Sequence, residues 1–116
     1  MTIITLQKEK ILEYEFLRKM YKDSYFPIPL VDKLRNLMLD FCVEVEEMEN
    51  KSLEQYYKLG EELTEEINML QEEFFRNDCE IESVAKKAIF EDFEYISRIY
   101  DYREVDIEIL FANREW

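Results

Sequence analysis

Leu53-Glu54-Gln55-Tyr56-Tyr57-Lys58-Leu59-Gly60-Glu61-Glu62-Leu63-Thr64-Glu65-Glu66-Ile67-Asn68-Met69-Leu70-Gln71-Glu72-Glu73-Phe74-Phe75-Arg76 runs without a proline and decides the fold class. Leu53, Tyr56, Gly60, Leu63, Ile67, Leu70 and Phe74 recur every three or four residues, the spacing of one apolar face of a long helix. Ser52, followed three residues later by Gln55, supplies a capping box at its start. Asn77-Asp78 ends it and is expected to cap the next helix. Gly60 lies in the seam, where a glycine costs about 1 kcal/mol of helix propensity relative to alanine. A glycine there allows close approach of a neighbouring helix.

Working outward, the same periodicity recurs on both sides. Upstream, Leu30, Leu34, Leu37, Phe41, Val45 and Met48 predict a helix from Pro29 to about Glu49, with Asn50-Lys51 as the turn. Pro29 suits a first turn, where its missing N–H costs nothing. Before it, Ser24 to Pro29 reads as a short extended link because Pro27 and Pro29 disfavour helix in the residues preceding them. Tyr25 and Phe26 are expected to plug the core there. A first helix is predicted from about Gln7 to about Lys22, with Ile11, Tyr14, Leu17 and Tyr21 as its stripe and Leu12, Phe16 and Met20 widening it. Downstream, Ile81, Val84, Ala85, Ala88, Ile89, Phe93, Ile96 and Tyr100 predict an inward face on a helix from about Glu80 to Tyr100. A last short helix around Asp106–Phe111 is expected to dock through Ile107, Leu110 and Phe111, with Trp116 packing the C-terminus down. The predicted fold is all-α: an antiparallel bundle of four main helices plus a short C-terminal helix, in a single helical domain over residues 1–116.

Composition agrees. One glycine and two prolines leave little material for hairpins or glycine loops, and a 47% hydrophobic content with eight Phe and eight Tyr is too apolar for a disordered acidic tail. No stretch reaches the length of a membrane span, and the start MTIITLQKEK lacks a long apolar core of a secretory signal, so a cytoplasmic protein is expected. Cys42 falls on an apolar face and reads as a buried reduced thiol, and Cys79 as incidental at a helix entry. With no histidine in the chain there is no Ser–His or Cys–His pair and no ordinary zinc site. Neither a catalytic group, a metal nor a cofactor is expected.

Charge is the most distinctive property. Residues 40–82 hold fifteen carboxylates against Lys51, Lys58 and Arg76, a net charge of −12 in a chain whose total is −13. Such an asymmetry attracts a basic partner and repels nucleic acid and anionic membrane. Glu44, Glu46, Glu47 and Glu49 crowd the C-terminal end of a predicted helix, where acids oppose the helix dipole. A cost without structural benefit points to binding. The candidate partner surface is Glu44, Glu46, Glu47, Glu61, Glu62 and Glu65, with Tyr56 and Tyr57 as aromatic anchors. The expected function is a non-enzymatic acidic binding module of immunity or inhibitor type, which neutralises a basic protein such as a nuclease toxin. A DNA mimic of the anti-restriction or anti-CRISPR kind would use the same charge.

Glu61-Glu62-Leu63-Thr64-Glu65 resembles the E-E-x-x-E half of the magnesium site in all-helical nucleotide pyrophosphohydrolases of the MazG type. That resemblance implies a second acidic pair on the following helix, and Glu91-Asp92-Phe93-Glu94 offers E-x-x-E where the family has E-x-x-D. The plainer reading is a solvated face, because the seam turns Leu63 and Ile67 inward and leaves Glu61, Glu62 and Glu65 on its flanks.

A broader resemblance rests on Asp23-Ser24-Tyr25-Phe26-Pro27, Leu30-Val31-Asp32-Lys33, Leu70-Gln71-Glu72-Glu73-Phe74, Glu80-Ile81-Glu82, Ile89-Phe90-Glu91-Asp92-Phe93 and Arg114-Glu115-Trp116. These segments resemble an uncharacterised family of small acidic bacterial proteins, a domain of unknown function. The resemblance implies an all-helical domain and a bacterial source, and it transfers no functional residue.

Overall fold

The structure is a computed structural model and describes residues 9–116. It is all-helical among those residues: α1 (Glu9–Glu13), α2 (Arg18–Lys22), α3 (Ile28–Glu47), α4 (Leu53–Arg76), α5 (Ser83–Ile99) and α6 (Ile107–Leu110). The bundle expected from the sequence is present, with its first helical unit broken in two. The start of that predicted unit, Gln7 and Lys8, lies outside the described residues.

α4 has the predicted limits. The Ser52 hydroxyl accepts the Gln55 N–H at 3.2 Å, satisfying one of the donors that a helix start leaves unpaired. Tyr56, Gly60, Leu63, Ile67, Leu70 and Phe74 are all buried. α3 runs antiparallel to α4 across the Met48–Ser52 link and forms the most extensive helix pair of the bundle. Lys51 closes that link by donating from Nζ to the carbonyls of Val45 (2.7 Å) and Glu46 (3.2 Å), placing a cation on the open C-terminal end of α3.

α4 and α5 both end in Schellman turns built on aspartate. Asp78 has φ 54° and Asp101 has φ 63°, both left-handed. The Cys79 N–H then reaches Phe74 O at 2.9 Å, and the Tyr102 N–H reaches Ser97 O at 2.7 Å. Cys79 is buried against the last turn of α4 and supplies the apolar contact that accompanies this motif. The expectation that Asn77-Asp78 caps the following helix is corrected: α5 begins at Ser83 after Glu82, which makes no side-chain cap bond.

Gly60 is where α6 enters the core. A Cβ built there would stand 2.2 Å from Leu110 Cδ1 and 2.7 Å from its Cγ. α6 packs on both α4 and α5, so the close neighbour that the glycine allows is the short C-terminal helix. Phe111 sits beneath it, edge-on to Phe93 (4.9 Å between ring centres) and stacked on Phe90, with Trp116 against both Phe90 and Phe111. Asn68 holds the C-terminal tail by two bonds, giving its Nδ2 to Asn113 O (3.0 Å) and accepting the Glu115 N–H (2.9 Å).

Three inward assignments fail. Val84 is 39% exposed at the first turn of α5, Tyr25 is 43% exposed and uses its hydroxyl to accept the Glu80 N–H, and Leu12 is 55% exposed. The first helix stops at Glu13, one residue after Leu12, and the chain re-enters helix at Arg18. Phe26 does fill the core as expected.

Two predictions follow from these contacts. Gly60→Ala destabilises the protein by about 1–3 kcal/mol despite its better helix propensity, because Leu110 has to move. In urea denaturation the Gly60→Ala/Leu110→Ala double variant loses less than the sum of the two single changes, and strict additivity would contradict the contact. Asp78→Gly stabilises by about 1 kcal/mol, since glycine adopts positive φ freely and a negative charge leaves the C-terminal end of α4. A lower midpoint for that variant would contradict the turn.

Candidate functional site

The α3–α4 pair carries a charge pattern that changes sign in coherence along its length. Near its open end Lys33 faces Glu73 in an ion pair. Nearer the connecting turn, Asp40 and Glu44 of α3 face Glu62 and Glu66 of α4. Each of these two acidic pairs is spaced i, i+4, so each lies on one helix face. Leu37, Phe41, Val43 and Leu63 complete the groove between them, about 230 Å³ in volume, and no basic residue lines it. Partial burial, then the charges of Glu62, Glu66, Asp40 and Glu47, push the Glu44 carboxyl above its ordinary range.

The sequence-predicted surface is divided by this arrangement. Glu44 and Glu62 meet in the groove, and Glu47 lies close enough to add to the field on Glu44. Glu61 and Glu65 are exposed on the flank of α4. Glu46 is turned the other way, half-buried, and accepts the Tyr100 hydroxyl of α5. Tyr56 is no surface anchor. It is fully buried, bonded to the Ser97 hydroxyl at 2.7 Å and stacked on Tyr102 at 4.0 Å, because it occupies a seam position of α4. Tyr57 is half-buried and holds the start of α6 by accepting the Asp106 N–H at 2.9 Å. Asp40 and Glu66 were missed as groove members, although a hairpin turning at Asn50-Lys51 puts them opposite each other.

The two halves of the magnesium-site pattern do not come together. Glu62 opens toward α3, while Glu91 pairs with Lys19 at 3.1 Å and Asp92 points to the N-terminal segment. Among the described residues no group of three or more Asp, Glu, Cys or His is placed to hold a metal ion.

Asp92 is the second unusual feature. It sits on the buried face of α5 between Ala88 and Ile96 and is only 5% exposed. Tyr14 Oη donates to its Oδ1 at 2.7 Å, and the Leu17 N–H donates to its Oδ2 at 2.8 Å. Leu17 is left-handed (φ 57°, ψ 33°), a conformation that costs a non-glycine residue about 1 kcal/mol or more. The break between α1 and α2 is therefore organised around this carboxylate. Burial pushes the Asp92 carboxyl up to about 6, with Glu91 adding to the rise and the bonds from Tyr14 and Leu17 opposing it. An acid at a seam position of a helix was the signal available in the sequence.

A carboxyl held above its unfolded value binds more protons in the folded state between roughly pH 4 and 6, so this group adds stability as pH falls through 6. Thermal or urea unfolding is expected to show wild type gaining on the order of 1 kcal/mol more than Asp92→Asn between pH 7 and pH 5. Parallel pH profiles for the two proteins would contradict an ionised, buried Asp92.

Among the described residues no helix is long and apolar enough to cross a membrane. Comparison with curated proteins and with solved structures gives no match. The segments quoted from Asp23 to Trp116 do have a counterpart: the model of a family of unknown function, DUF5713, matches residues 10–116, from α1 through the C-terminal tryptophan, and the protein belongs to that family.

Proposed function

We propose that this protein is an acidic binding module of inhibitor or immunity type, and that its α3–α4 groove receives a basic protein partner. The observation that carries this reading is the convergence of Asp40, Glu44, Glu62 and Glu66 on one groove with no cation among its lining residues. The same helix pair places Lys33 opposite Glu73 a few turns away, so opposite charges are compatible with the backbone there. Four like charges in a partly buried groove destabilise the free protein, and an incoming Lys or Arg would relieve them. The segment net of −12 extends the attraction beyond contact distance and would steer encounter.

Relief of this repulsion gives a test with two opposed readouts. Glu44→Gln/Glu62→Gln is expected to raise the melting temperature of the free protein by a few degrees at low salt. The same variant is expected to lose a basic protein that wild type retains from a lysate of the source organism, and wild type should lose it as salt rises. Equal retention by wild type and variant, or retention indifferent to salt, would overturn the assignment of this groove.

A further inference from the structure

A cavity of about 570 Å³ lies between the α1–α2 break and α5. Lys10, Glu13, Tyr14, Glu15, Arg18, Lys19, Ala88, Glu91, Asp92 and Tyr95 line it, but its charges are not equivalent. At the rim Arg18 pairs with Glu15 at 3.6 Å and Lys19 pairs with Glu91 at 3.1 Å, both exposed. At the floor stands the Asp92 carboxylate, whose partners among the described residues are two neutral donors, the Tyr14 hydroxyl and the Leu17 N–H. No lysine or arginine among the described residues forms an ion pair with it. Buried carboxylates are ordinarily paired with a cation or neutralised. This one is held in place at the expense of a left-handed leucine, and no cation among the described residues pairs with it.

We infer that this cavity is a binding site for a guanidinium group, which pairs with Asp92 at the floor and lies against the outer face of the Tyr14–Tyr95 stack. Three features select that chemistry. Each Asp92 oxygen accepts one protein donor, so one acceptor position remains on each, the arrangement that a guanidinium's two parallel N–H groups satisfy. Tyr14 and Tyr95 are stacked on each other at 4.2 Å with an interplanar angle of 12°, so the pair offers a planar group the outer face of a ring beside the carboxylate. A planar guanidinium stacks on such a face and tolerates desolvation better than an ammonium. Ala88, the small residue in the lining, leaves the space over the floor open. Tyr95 is fixed by its hydroxyl donating to the Lys10 carbonyl at 3.3 Å, so the stack is positioned without the ligand. This site shares no residue with the α3–α4 groove, and its ligand is independent of the partner proposed there.

The guanidinium can belong to a free small molecule or to an arginine side chain of a protein, and a two-probe titration separates them. The ¹⁵N-labelled protein is titrated with ethylguanidinium and with the blocked tripeptide acetyl-Gly-Arg-Gly-amide, following the Leu17 amide and the rings of Tyr14 and Tyr95. Saturable shifts of these resonances are expected, with affinity weakened about tenfold or more in Asp92→Asn and in Tyr95→Ala. Tighter binding of the tripeptide assigns the group to a protein side chain, and tighter binding of ethylguanidinium assigns it to a small molecule. Absence of a saturable shift at Leu17, or unchanged affinity in Asp92→Asn, overturns the proposal and leaves Asp92 as a purely structural tie. If Asp92→Asn does not fold, Tyr95→Ala decides, and wild-type affinity in that variant overturns the proposal.

Discussion

Leu110 lying across Gly60 is the contact that closes this fold. α3 covers one side of α4, but a helix with the wide apolar seam of α4 has a second side to bury. α5 meets that side at Tyr56, through the Ser97 hydroxyl at 2.7 Å, but does not cover the Gly60 region. α6 and the tail behind it do, and they fit because position 60 has no side chain. The Thr64 hydroxyl, one turn on, turns back to the Gly60 carbonyl at 2.7 Å and keeps its polar atom satisfied beneath the contact. Once Leu110 is seated, Phe111 reaches Phe93 and Phe90, and Trp116 packs on the same cluster. Phe41 continues this layer from Phe93 to Tyr56, which stacks on Tyr102. An aromatic column thus runs from the C-terminal tail to the link between α3 and α4, and its far end is tied when Tyr102 donates to the Lys51 carbonyl at 3.1 Å.

Local sequence rules carried most of this architecture and failed at identifiable places. The limits of α4 were legible because Ser52, Gln55 and the seam from Leu53 to Phe74 are all local signals. Gly60 allowed a close neighbour, and the identity of that neighbour needed the structure. The break at Tyr14–Leu17 was illegible for a physical reason. Leucine is a good helix former with no preference for positive φ, and the group that stabilises its left-handed backbone, Asp92, is 75 residues away. The aspartates at 78 and 101 stand where a chain with more glycine would place glycine, so the turns closing α4 and α5 lacked their usual marker.

The candidate site was legible as a region and not as a surface. Counting charge found residues 40–82, but counting cannot say which acids share a face. Glu44, Glu46 and Glu47 are neighbours in sequence, yet the helix turns Glu46 toward Tyr100 and leaves Glu44 in the groove. Tyr56 and Tyr57 diverge for the same reason, one in the seam and the other at its edge. Pairing across the hairpin, which follows from the turn at Asn50-Lys51, would have brought Asp40 and Glu66 into the set.

The two acidic sites of this molecule differ in what holds their charge. In the α3–α4 groove the carboxylates face water, so repulsion is moderated by solvent and salt, and the groove tolerates four of them. Asp92 is only 5% exposed, its burial raises its own proton affinity, and among the described residues it has two neutral donors and no paired cation. Neither arrangement is what stability alone would select. A lysine at position 62 would mirror the Lys33–Glu73 pair, and an apolar residue at position 92 would continue the seam of Ala85, Ala88, Ile89, Phe93 and Ile96. Among the described residues the two sites thus hold their charge by opposite means, one by exposure to water and the other by two neutral donors.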